Sequence, residues 1–184
     1  YTPRYEKPCA CDEASLLDVD AAIAAALVAN DNGAKGFASP YVLPSDVTFT
    51  TGRYVVETPK GAGVRRVRVD GAVALYVSGA FENFGNGSLE FTPGSSLDLY
   101  LGEGVRSLGN FSAGNPAHAG SLRIYMGASN DVTLTVGNQA FHGLVYAPKA
   151  NVQVVGNTRF RGGLFARTLA NVGNLEIAGV HPTR

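Results

Sequence analysis

Tryptophan is absent from this 184-residue chain, methionine occurs once and cysteine only twice. Charge is scarce as well: 16% of residues are Asp, Glu, Lys or Arg, and 15 basic groups balance 15 acidic ones. Proteins that hold nucleic acid or an anionic membrane usually carry a basic excess, so both partners are disfavoured. No apolar run approaches the roughly 18 residues needed to cross a bilayer, so no transmembrane segment is expected. The two cysteines, Cys9 and Cys11, are so close that a bridge between them would close a small, strained ring. A metal site would need further ligands, and His118, His142 and His181 lie far off without ligand spacing, so no metal site and no cofactor are expected. The cysteine pair stays open between a disulfide within or between chains and free thiols, with metal ligation well behind.

The chain does have 23 glycines, with many Val, Leu, Thr and Tyr. That composition suits short strands joined by tight turns, and the length suits one domain with a real core. The opening on Tyr1 rather than Met fits a processed product or an excised piece. Residues 1–14 read as an extended arm, with Pro3 and Pro8 discouraging regular structure. Residues 15–31 read as a helix. Ser15 and Asp18 form an imperfect capping box, and Leu16, Val19, Ile23 and Leu27 make an apolar stripe that can pack on a core. Asn30-Asp31-Asn32-Gly33 ends the helix.

Over 47–184 the apolar period shifts to two, and a longer repeat rides on it. Val73–Val77, Leu97–Leu101 and Leu122–Met126 share one pattern, apolar-any-apolar-Tyr-apolar, each soon followed by glycine. The register places Tyr54, Tyr76, Tyr100, Tyr125, Tyr146 and Phe165 at intervals of 22, 24, 25, 21 and 19 residues. Gly-Asn dipeptides ending at Asn86, Asn110, Asn138, Asn157 and Asn174 keep the same phase. Val136-Gly137-Asn138, Phe141, Gly143, Tyr146 and Ala147 recur nineteen residues on as Val155-Gly156-Asn157, Phe160, Gly162, Phe165 and Ala166.

A repeat near twenty residues with Gly and Asn at corners predicts an all-β, right-handed parallel β-solenoid (β-helix) of about six coils with one N-terminal α-helix. At ~4.8 Å per coil the rod is roughly 29 Å long. Asn and Gly tolerate the corner conformations, and stacked Asn side chains can bond along the rod. The tyrosines fall between inward positions, so they predict an outward aromatic column that needs covering. The helix is a candidate cover, either there or beneath the first coil.

These residues carry a resemblance. Ala74–Gly79, Ser96–Leu101, Leu122–Tyr125, Leu144–Ala150 and Gly163–Ala166 resemble an uncharacterised β-solenoid domain of bacterial surface proteins. It is found beside PilX-type pilus-assembly regions and in "choice-of-anchor A" proteins. The Tyr146-Ala147-Pro148-Lys149-Ala150 segment is the most specific element, and the Cys-x-Cys tail and helix extend the likeness over most of the chain. The resemblance implies a secreted, cell-surface solenoid and brings no catalytic residues. Its pattern has a Cys before the Gly-Arg-Tyr element; here Thr51 stands there, which removes one disulfide partner for Cys9 or Cys11.

Enzymatic solenoids cut polysaccharides with paired carboxylates or calcium clusters. Acids are sparse in 47–184, and no two share a strand at i, i+2, so catalysis is disfavoured. Glycine clusters such as Gly85-Asn86-Gly87 lack the context of phosphate loops and read as corners. Arg66 and Arg68 share a strand face that is either solvated or a contact for an acidic polymer, and Arg159, Arg161 and Arg167 extend it if their coils face the same way. His142, exchanged for Arg161 one repeat later, reads as a surface position. The expected function is a non-catalytic extracellular structural or adhesive solenoid. Its partners would be other copies of itself or surface proteins, and it could stack end to end into a filament. The alternative is a polysaccharide-binding platform, with ice binding and polysaccharide cleavage behind it.

Overall fold

In the computed structural model, residues 15–57, 66–82, 87–106, 113–127, 129, 131–137 and 140–179 are described. The arm at 1–14 with Cys9 and Cys11, the corner residues Asn86, Asn110 and Asn138, and the last residues 180–184 lie outside them. Among the described residues one α-helix, α1 (Val19–Val28), precedes twelve strands. These are β1 (Tyr41–Val42), β2 (Asp46–Glu57), β3 (Arg66–Val77), β4 (Ala80–Glu82), β5 (Ser88–Phe91) and β6 (Ser96–Leu101). They continue as β7 (Gly104–Arg106), β8 (Leu122–Met126), β9 (Asp131–Gly137), β10 (Ala140–Gly156), β11 (Thr158–Val172) and β12 (Leu175–Gly179). Every ladder among them is parallel, and the chain is a β-solenoid of about five turns.

Three stacks of strands make its sides. The first holds β5, the starts of β2, β3, β10 and β11, and β12. The second runs from the later parts of β2 and β3 through β6 and β8 to the middle of β10 and of β11. The third holds β4, β7, β9 and the ends of β10 and β11. Along each strand every second residue points inward. Val67, Val69, Leu75, Leu97, Leu99, Leu101, Ile124, Val152 and Phe160 therefore join one buried core. Six strands share the second side, and six rows enclose about five turns, one fewer than the repeat count suggests.

The described corners explain the Gly-Asn dipeptides. Gly156 and Gly173 both have φ of 121°, and a Cβ on Gly173 would overlap the Gly156 carbonyl, so glycine is required there. The Asn174 Nδ2 group donates to Asn157 Oδ1 at 3.1 Å, a side-chain link from one coil to the next.

The helix is shorter than 15–31. Its N-cap is Asp18, whose carboxylate accepts from the Ala21 N–H at 2.9 Å, while Ser15 lies outside it. The buried stripe is Val19, Ile23 and Ala26; Leu27 is half exposed. The stripe rotates because the helix lies on the second side, where bulky tyrosines meet the small faces of Ala22 and Ala26.

Candidate functional site

Outward positions on the second side form one column: Val55, Tyr76, Tyr100, Tyr125, Tyr146 and Phe165, each paired to the next. Tyr54 is not in it. At the corner between the first and second sides Thr50 pairs with Asp70 but Gly52 with Val73, so β3 carries one extra residue and the register slips by one. That slip turns Tyr54 inward, where it is fully buried and its hydroxyl donates to the Thr50 carbonyl at 2.9 Å.

Parallel in-register strands set the ring spacing. Tyr76 and Tyr100 stack at 4.7 Å and 8°, and Tyr100 and Tyr125 at 4.7 Å and 15°. Helix α1 covers these three rings, and Arg53 places its guanidinium 5.5 Å from the Tyr76 ring centre. Ten residues of helix rise ~15 Å, or about three strand spacings. The helix therefore runs out near Tyr146, whose hydroxyl accepts the Leu17 N–H at 2.9 Å, and Phe165 stays exposed beyond it. Beside the column, Arg123 grips Asp98 one row above through Nε to Oδ1 and through Nη2 to Oδ2 at 2.8 Å. Burial, and next the charge of Asp98, pushes the Tyr100 phenol up to about 12. Burial, then the charge of Asp98, raises the Tyr125 phenol as well, so Tyr100 and Tyr125 stay protonated at physiological pH.

This geometry bears on what the column can bind. A sugar platform needs an exposed ring face, but the stacked rings turn their faces toward one another. Tyr146 and Phe165 are also parallel, 9° apart at 5.5 Å. Among the described residues no ring covers the far face of Phe165. A hollow of about 360 Å³ runs along this uncovered stretch, lined by Arg123, Tyr125, Leu144, Tyr146, Leu164 and Phe165.

The two ends of the solenoid differ. At the first coil, Asp31 and Asn32 act as a pseudo-strand. Asp31 Oδ2 accepts from Arg53 N at 2.8 Å and Asp31 N donates to Arg53 O at 2.8 Å. The buried Asn32 amide accepts from Val55 N at 3.0 Å and donates to Val55 O at 2.8 Å and Ala38 O at 2.6 Å. Phe37 and Tyr41 then close over Phe49 and Tyr54, with Phe37 centred 5.8 Å from Tyr54. The end cap is this segment, and the helix sits on the side.

At the last coil, Leu169 and Ile177 are 44% and 51% exposed, yet their partners one coil earlier, Val152 and Phe160, are 1% and 2% exposed. Val172 is half exposed as well. Near this end a cavity of about 700 Å³ is lined by Asn157, Thr158, Arg159, Asn171, Asn174 and Glu176. The Thr158 hydroxyl is buried there without a hydrogen-bond partner.

The arginines do not merge into one patch. Arg66 sits 3.0 Å from Glu90 and 4.0 Å from Asp46, an exposed network worth little. Arg68 lies beside it, exposed, in register with Thr48 and Glu90. Arg159 and Arg161 share that side but lie several rows away, with Arg159 3.5 Å from Glu176, and Arg167 is on β11 past the second side. His142 is not a surface residue. It is 9% exposed, its N–H donates to the Ala113 carbonyl at 2.9 Å, and a Cβ on Gly114 would strike its backbone. Burial, then the nearby Arg161 charge, lowers its imidazole pKa below 6.5. Among the described residues no three His, Cys, Asp or Glu side chains gather to hold a metal.

Sequence reasoning missed the Asp31–Asn32 pseudo-strand, the Phe37–Tyr41 plug and the Asp98–Arg123 pair. Only the last had a visible signal: opposite charges at the same place in successive repeats. A family model described as a domain of unknown function, DUF7305, matches residues 12–181. Nothing among the curated proteins or the solved structures matches the chain.

Proposed function

We propose, for a chain that belongs to the DUF7305 family and so inherits no assigned activity, that it is a non-catalytic structural or adhesive scaffold on the outside of the cell, with its last coil as the assembling face. The observation that carries this reading is the exposure of Leu169 and Ile177 at positions buried one coil earlier. A coil ends with a full course of backbone donors and acceptors above apolar side chains, and both gain from another layer. The resemblance to bacterial surface solenoids supports the extracellular location. Light scattering of the 184-residue chain across concentrations tests it. Mass should rise with concentration, and a strict monomer at high micromolar concentration would remove the assembling role.

A second reading, polysaccharide binding, is favoured by one feature: the amide-rich cavity around Asn157, Asn171 and Asn174. Amides offer donor and acceptor together, which suits sugar hydroxyls. Calorimetric titration with neutral and acidic oligosaccharides, repeated on Asn174→Ala, decides it. Heat that persists unchanged in the variant would place binding elsewhere.

A further inference from the structure

From the unequal ends of the solenoid we infer that this chain assembles as a closed, two-fold, tail-to-tail pair through its last coil. The inference rests on the assembling role proposed above. Open head-to-tail growth needs two bare ends. The first coil is not bare: Asp31 and Asn32 occupy its backbone at Arg53 and Val55, Leu43 N–H donates to the Glu57 carbonyl at 3.0 Å, and Phe37 and Tyr41 cover its core. Adding a coil there would displace a buried, triply bonded asparagine. At the other end Leu169, Val172 and Ile177 are open, and so is Phe165 with its free ring face.

The occupant of such a rim is a second copy because the rim is complementary to itself. Turning one solenoid over reverses the sense of its coils, so every edge of one tail meets the other antiparallel, the stronger pairing mode. Isologous contact also closes the assembly at two chains. With the axis through the third side, the end of β11 pairs with its own mate. Ala170 then faces Ala170, Thr168 faces Val172, and Leu169 lies beside Asn171. The same turn carries Arg167, whose Nε bonds Asn151 at 3.1 Å, to the mate's Gly173-Asn174 corner, which leads into the exposed Glu176. Arg167 thus lies, twice by symmetry, three residues from the mate's Glu176, the carboxylate that also faces Arg159. Both Phe165 rings approach the first-side strand of the mate, beside Leu175.

The register gives a direct test. In an antiparallel pair facing residues have Cα atoms ~5 Å apart, within disulfide range. Ala170 is exposed, so a cysteine there leaves the fold intact. Ala170→Cys, made with Cys9→Ser and Cys11→Ser, should form a covalent dimer under mild oxidation. The light-scattering mass of the unmodified chain should plateau at two chains. Leu169→Lys should raise the dissociation constant tenfold or more, while Val42→Lys on the capped end leaves it unchanged. Growth past two chains without the 170–170 bridge overturns the tail-to-tail arrangement but leaves the assembling role standing. A chain monomeric throughout overturns both.

Discussion

The first and last coils are built from the same pattern and end differently. At the first coil the apolar interior is closed by residues outside the repeat. Asn32 supplies in one side chain the donor and acceptor that a neighbouring strand would supply, and two rings from 37–41 cover the core. At the last coil the interior positions continue in sequence but emerge into solvent. A solenoid repeat therefore specifies how a coil stacks and says nothing of how the stack stops. Stopping is encoded by a few residues beyond the repeat.

The comparison is sharpest at Phe160 and Ile177, which occupy neighbouring rows. Phe160→Ala removes a ring that is 2% exposed and stacks on Phe141 at 4.8 Å. It should cost about 3–5 kcal/mol. Ile177→Ala, at a half-exposed site, should cost under ~1 kcal/mol in the monomer. Chemical denaturation at low protein concentration measures both, and equal losses would mean that the last coil is already covered.

Next in size is Asn32→Ala, which leaves the Val55 N–H and C=O buried without partners. Roughly 1–3 kcal/mol is lost per orphaned group, so the melting temperature should fall by about 6–15 °C. An unchanged melting temperature would mean that the first coil needs no closure. The helix gives a contrast on one element. Ile23→Asp buries an unpaired charge and should cost about 3 kcal/mol, whereas half-exposed Leu27→Asp should stay within about 0.5 kcal/mol. Circular dichroism melts separate them, and equal effects would detach the helix from the aromatic column.

The smallest effect concerns pH. Burial, reinforced by Arg161, keeps the folded-state pKa of His142 below its ordinary 6.5. Just below 6.5 the unfolded chain binds more protons than the folded one. Stability is therefore complete above that pH and declines as pH falls toward the folded value. His142→Gln should flatten this slope in melts taken between pH 7 and 5. A slope identical to the parent's would place the proton uptake elsewhere.

Much of the fold was legible because two markers kept phase. The aromatic spacing and the Gly-Asn corners indicate stacked coils, and the structure pairs Tyr76, Tyr100, Tyr125, Tyr146 and Phe165 in successive rows. The failure at Tyr54 has a physical cause. Spacing counts residues around a coil, and a one-residue bulge at a corner changes the count without changing the pattern. His142 was misread for a related reason. Its face is set by the strand, but its cover comes from the segment at 113–121, which no periodicity describes. The caps escaped for the same reason, since Asn32 and Phe37 belong to no repeat.

The direction of helix α1 has a mechanical consequence. Its far end, near Ala26, packs beside Val55 in the first row, while Leu17 reaches Tyr146 in the fifth. The chain thus comes onto the rod at its late coils, climbs the outside, turns at Asn32, and winds back down to Gly179. Residues 17 and 179 thus lie toward the same end of the rod, and the plugged first coil lies at the other. A pull between residues 17 and 179 would first load the hold of α1 on the aromatic column and the late coils. The plugged tip would be loaded only once α1 had peeled from the aromatic column or those coils had unwound.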